Sequence, residues 1–194
     1  MEPNFLALQV IAEASLGILG FSAILIGLSR ATDGFSVPDN FRIQLLIYSA
    51  FGAMFGALIP FAIFKSENAD VSWAIINWTV CIYSIAGLFA FPSKMLAIRK
   101  KGFKALFPLR LFFFQTGILS TIFLLSGSMI INAIVLRSNV YVICLLLFLV
   151  QSSVAFIRTM FYRVTRFASA FGYSIENSNL FGSKNSTIRI MADV

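Results

Sequence analysis

Histidine is absent from this chain of 194 residues, cysteine occurs only twice, and charged residues make up 12% of it. Each shortage excludes something. Without histidine there is no usual axial ligand for haem, no commonest ligand for zinc, and no usual base to activate a serine or cysteine nucleophile. Cys81 and Cys144 both lie inside apolar runs, where they read as small buried residues rather than as a disulfide. No GxxxxGK[ST] loop and no GxGxxG after a strand offers a cradle for phosphate. Glu13 is the only acid inside an apolar run, so no cluster of metal ligands can form there. The expectation is a protein that is not an enzyme and carries no cofactor or metal.

What is present is apolar. Hydrophobic residues account for 59% of the chain, with 22 Phe, against about 45–50% in soluble domains. Five runs are long enough to cross a bilayer, at about residues 5–28, 43–64, 71–91, 111–135 and 140–157. Polar connections separate them, with turn signals at Asp33-Gly34 and Pro38-Asp39. The first run reads as a retained helix rather than a signal peptide, because no basic segment precedes it and its apolar stretch is too long. The fold class expected is therefore all-α: an integral membrane bundle of five transmembrane helices. Phe156, Met160, Val164, Phe167 and Phe171 continue the last span as an amphipathic extension over 158–171, and the polar stretch 172–194 is expected to be a mobile tail.

Charge asymmetry predicts orientation. With the amino terminus outside, every Lys and Arg except Lys65 and Arg137 falls on the cytoplasmic side, which also holds the carboxyl terminus. The densest basic stretch carries Lys94, Arg99, Lys100, Lys101, Lys104 and Arg110 with no acid among them. No soluble domain surrounds it, so it is expected to be a loop lying on anionic lipid headgroups and not a nucleic-acid site. Trp73 and Trp78, near the start of the third span, are expected at the opposite headgroup layer.

The candidate functional residues centre on Glu13. A carboxylate in mid-membrane costs about 2.5–3.5 kcal/mol on insertion scales, so it is expected to face protein or water. Gly17, Gly20 and Gly27 share its side of the helix, giving a stripe suited to close approach. Gly52 and Gly56 repeat the GxxxG spacing on the second span, read either as packing within the bundle or as a subunit contact, and Pro60 follows one turn later. At ~1.5 Å per residue Gln9, Glu13, Asn77 and Asn132 all fall in the outer half of the membrane, where they would form a polar layer. No internal repeat is apparent, which argues against the transporters built from inverted halves.

Two functions follow from this. One is an oligomeric membrane channel or ion-conducting protein, its subunits meeting along the glycine stripes and Glu13 facing the permeation path. The alternative is a non-conducting scaffold or accessory subunit that docks a partner through its basic third loop and carboxyl-terminal tail, with Glu13 held neutral by hydrogen bonds between helices. Expected partners are membrane lipids, including anionic headgroups, and either further copies of the chain or other subunits of a membrane complex. Gln9, Glu13 and the run Gly20-Phe21-Ser22 resemble the amino-terminal helix of a group of small uncharacterised bacterial multi-pass membrane proteins. The resemblance covers the first helix, and implies a bacterial inner-membrane location and no particular activity.

Overall fold

The computed structural model describes residues 2–30, 37–102, 108–131 and 137–161. They form five helices long and apolar enough to cross a membrane, and no strand: α1 (Phe5–Arg30), α2 (Val37–Ile63), α3 (Ala69–Lys100), α4 (Leu109–Ile130) and α5 (Arg137–Phe161). A short 3₁₀ turn, Ser66–Asn68, precedes α3. Five such helices support a multi-pass membrane protein, since in lipid every backbone polar group must be satisfied within the fold. Met1–Ile157 makes one compact unit. Of the second, Arg158–Val194, only the final turn of α5 is described, so the extension beyond Phe161 and the tail 172–194 lie outside the described residues.

Prolines explain where the helices depart from the expected spans. Pro38-Asp39, expected in a turn, instead opens α2. A first turn does not need the N–H that proline lacks, and the helix dipole favours an acid there. Pro92, expected to close the third span, lies inside α3, which continues to Lys100. The Ser93 hydroxyl donates to the Phe89 and Ala90 carbonyls at 2.7 and 3.0 Å in the turn that the proline ring interrupts. Gly102 follows the helix with φ 101°, a left-handed conformation that suits glycine, and its N–H reaches the Arg99 carbonyl at 3.2 Å. Lys94, Arg99 and Lys100 are consequently helical residues and not loop residues.

The core is built against α2, whose inward face is lined by Ser49, Ala50, Gly52, Ala53, Gly56 and Ala57, all buried. Small side chains let neighbouring helices come close, which matters in lipid because apolar burial gives no driving force between helices there. A Cβ at Gly52 would lie 2.6 Å from Tyr83 Cε1 on α3, and one at Gly56 would lie 2.5 Å from Leu145 Cδ2 on α5. The GxxxG pair therefore serves packing inside the protomer. It is not a stripe offered to another subunit, because α3 and α5 already occupy it.

Pro60 adds a second constraint at the same place. It has no N–H to give the carbonyl four residues earlier, that of Gly56, and the Tyr141 hydroxyl donates to this carbonyl at 2.6 Å. Tyr141 also stacks edge-on with Trp73 at 5.8 Å, and Trp73 with Phe64 at 6.0 Å. Trp73 is thus buried in the core, whereas Trp78 is exposed.

At the end of the bundle where α1 begins, Asn4 starts α1 by accepting from the Ala7 N–H at 3.2 Å, and its own N–H donates to Ser138 Oγ at 3.1 Å. Arg137 pairs with Asp70 at 2.8 Å, joining the starts of α5 and α3. Ser72 closes the α2 to α3 connection by accepting from the Lys65 N–H at 3.2 Å.

Tyr141→Phe removes the donor to a buried carbonyl and should cost about 1–2 kcal/mol of stability. In a Pro60→Ala background an intrahelical N–H returns to Gly56, and the same change should cost less than about 0.5 kcal/mol. Thermal unfolding of the four proteins in detergent measures this coupling, and equal costs in both backgrounds would refute the shared role of Pro60 and Tyr141.

Candidate functional site

α1 packs on α2 with one face only. Leu8, Ile11, Ser15 and Ser22 are buried, spaced as one side of a helix, and the two serine hydroxyls donate back to the Ile11 and Ile18 carbonyls at 2.7 and 2.6 Å. Gln9, Glu13, Gly17, Gly20 and Gly27 lie on the other side and are all exposed. A Cβ at any of these three glycines would meet nothing within 4 Å. The Gln9 amide donates to Glu13 Oε1 at 2.9 Å, one turn apart along the helix.

This corrects the expectation that the rest of the chain packs around the glycine face of the first helix. The periodicity that places Glu13 with the glycines is present, but it points away from the protomer's own bundle. The physical reason is competition between faces: Leu8 and Ile11 bring more complementary bulk to the core than bare glycines do.

The expected polar layer is not gathered in one place. Asn77 is 1% exposed inside the bundle, whereas Gln9 and Glu13 sit on the outer surface, and Asn132 lies outside the described residues. Arg137, at the start of α5, donates to Asp70 at 2.8 Å. Among the described residues no group of three or more acids and cysteines could hold a metal ion.

Of the basic residues, Lys94, Lys100, Lys101 and Arg110 are exposed, Arg99 is half-buried, and Lys104 lies outside the described residues. Lys94 Nζ donates to Gln44 Oε1 of α2 at 3.2 Å. At the same end of α2, Asp39 and Arg42 are both buried and approach to 3.6 Å as an ion pair one turn apart. Their assignment to a loop concealed them.

Sequence reasoning also missed a contact of high internal order. Tyr48 on α2 and Tyr83 on α3 stack with centroids 4.3 Å apart and planes 7° from parallel. Each hydroxyl donates to the other residue's carbonyl, that of Tyr83 to Tyr48 at 2.7 Å. Tyr48 covers Gly87, where a Cβ would lie 2.6 Å from its hydroxyl, just as Tyr83 covers Gly52. The signal was legible as Tyr-Ser-x-x-Gly, which occurs at 48–52 and again at 83–87. Gln151 is likewise buried, 1% exposed, and neither end of its amide has a hydrogen-bond partner among the described residues.

Comparison of the chain with protein families, with curated proteins and with solved structures finds no match in any of the three.

The two classes of glycine should respond oppositely to the same substitution. Gly87→Leu or Gly52→Leu drives a branched side chain into a tyrosine ring and should lower protomer stability by about 1–3 kcal/mol. Gly17→Leu and Gly20→Leu should leave it within about 0.5 kcal/mol, as for an exposed site. Thermal unfolding in detergent compares them, and destabilisation at Gly17 equal to that at Gly87 would place α1 the other way round.

Proposed function

We propose that the protein is a subunit of an oligomeric, ion-conducting membrane assembly in which the exposed face of α1 lines the path. The observation that carries this reading is the Gln9–Glu13 pair on the outer surface of a membrane-length helix. A carboxylate facing hydrocarbon is costly, and water or a neighbouring subunit removes that cost. The oligomer forms through α1 rather than through both glycine stripes, since Gly52 and Gly56 are already covered.

Helical geometry refines how copies would meet. At about 100° per residue, Gly17 and Gly20 lie within about 40° of Glu13, so all three share one environment. If Glu13 faces the axis of a ring, the glycines face it too and widen it. Contacts then fall to the flanks, where Leu16 lies on one side and Val10 and Phe21 on the other, all exposed. A closed ring pairs Leu16 of one copy with Val10 and Phe21 of the next, a head-to-tail contact.

A second reading, the non-conducting scaffold or accessory subunit, draws on the basic end of the bundle, where exposed Lys100, Lys101 and Arg110 could hold an acidic partner. We place the protein in a bacterial inner membrane with its amino terminus outside. In sealed cells lacking the native cysteines, a cysteine at exposed Ser66 should then react with an impermeant thiol reagent and one at exposed Lys101 should not. The opposite pattern would invert the orientation.

Purified protein in liposomes should pass cations, and Glu13→Gln should assemble normally while changing flux. Leu16→Cys combined with Phe21→Cys should cross-link copies in a protein lacking Cys81 and Cys144. Absence of flux for every cation tested, with cross-linking retained, would leave the scaffold as the better reading; loss of both would reject assembly through α1.

A further inference from the structure

We infer that the exposed surface where α2 and α3 meet, at the end of the bundle where α2 begins, binds one anionic phospholipid of the surrounding leaflet, its phosphate held by Lys94, Gln44 and Asn40. This goes beyond conduction and does not depend on it.

The site is built across two helices. Asn40 Oδ1 accepts from the Gln44 amide at 3.4 Å, and Gln44 Oε1 accepts from Lys94 Nζ at 3.2 Å. All three residues are exposed. Gln44 steadies the ammonium with a neutral oxygen, so the positive charge is positioned but not cancelled. Charge complementarity names the occupant's sign: no acid occurs from Val71 to Ile175, and among the described residues at this end the one acid, Asp39, is already engaged with Arg42.

Depth names its class. α3 has 32 residues, roughly 48 Å at ~1.5 Å each, against a hydrocarbon core of about 30 Å. Centring the excess leaves about six residues in each headgroup layer, so the inner layer begins near Lys94. A lysine at that boundary meets lipid phosphate within the reach of its own side chain.

The neighbouring surface names the rest of the ligand. Along α2 the spacing Asn40, Gln44, Tyr48, Phe51, Phe55 keeps one face. It runs from amide groups at the helix end to aromatic rings toward the membrane centre. Phe51 and Phe55 stack at 5.5 Å and are 38% and 53% exposed. The half-buried Tyr48–Tyr83 stack lies between the amides and these rings and joins α2 to α3. Polar end and apolar continuation match a headgroup and its acyl chain in order and direction. A free inorganic anion would use only the first part.

Native mass spectrometry of the full-length protein in detergent tests this, with phosphatidylglycerol, phosphatidylcholine and inorganic phosphate as probes. The parent should retain phosphatidylglycerol in preference to phosphatidylcholine, and inorganic phosphate should not displace it. Lys94→Met should weaken that retention roughly fivefold, the equivalent of the about 1 kcal/mol that one basic side chain contributes at an anionic leaflet. Lys101→Met, which removes an exposed cation beyond the same helix, should change it by less than about twofold. Lys94→Arg should retain the lipid, and provides the comparison should the methionine variant not fold. Equal losses from Lys94→Met and Lys101→Met would show a diffuse charge effect and overturn the site. Equal retention of phosphatidylcholine, or displacement by inorganic phosphate, would overturn the ligand class.

Discussion

The hydrogen bond from Tyr141 to the Gly56 carbonyl is the contact on which the arrangement of this bundle turns. Lipid offers no water to satisfy a stray carbonyl, so the proline at position 60 obliges another helix to supply a donor. Only a helix close to α2 can do so, and glycine at 56 leaves room for its approach, since a Cβ there would meet Leu145 Cδ2 at 2.5 Å. Proline, glycine and tyrosine thus form one constraint distributed over two helices. Once α5 is held there, Leu145 and Phe148 fall against Gly56 and Gly52, and Trp73 of α3 closes on the Tyr141 ring. The reciprocal Tyr48 and Tyr83 contact fixes α3 on the neighbouring side of α2 by the same device, an aromatic ring laid over a glycine. The two contacts place α2 at the centre and leave α1 at the edge, the least buried of the five helices.

Length and hydropathy were enough to read five spans, because a membrane helix needs only a sufficient apolar run. Their ends were not legible to the same degree. Pro38 and Pro92 look alike as sequence punctuation, yet one initiates a helix and the other sits within one. What separates them is local: Pro38 occupies a turn that has no donors to lose, and Ser93 offers a hydroxyl to the carbonyls beside Pro92. Trp73 shows the same limit. An interfacial preference is a property of the side chain alone and does not say that two aromatic neighbours, Phe64 just past α2 and Tyr141 of α5, cover the ring.

The glycines make the limit sharpest. Gly17 and Gly20 on α1, and Gly52 and Gly56 on α2, carry nearly the same pattern. A stripe of glycine states that close approach is possible, but not which surface approaches. That information lies in the partner: tyrosine and leucine side chains on α3 and α5 fit over the α2 pair, and no described side chain fits over the α1 set. A matching Tyr-Ser-x-x-Gly at 48–52 and 83–87 was the readable hint, since two helices bearing the same ring-and-gap unit can each fill the other's gap. Depth counting for Glu13 and Asn77 was sound as arithmetic but silent on direction, and direction separates an outer carboxylate from a buried amide.

Charge links the two ends of the bundle. Under the conducting reading Glu13 would attract cations at its own depth, while Arg99, Lys100, Lys101 and Arg110 crowd the opposite end of the bundle. Positive charge at that end would oppose the passage of cations close to it, within about a Debye length of the headgroups. Anionic headgroups seated at Lys94 and its neighbours would neutralise this field and leave Glu13 as the dominant charge along α1. The conducting reading and the lipid site are therefore physically coupled even though each stands on separate residues. A lipid-depleted assembly would present its exit as a barrier to cations, and an assembly in an anionic leaflet would not. Under the scaffold reading no such coupling exists, since headgroups and an acidic partner would then compete for the same cations.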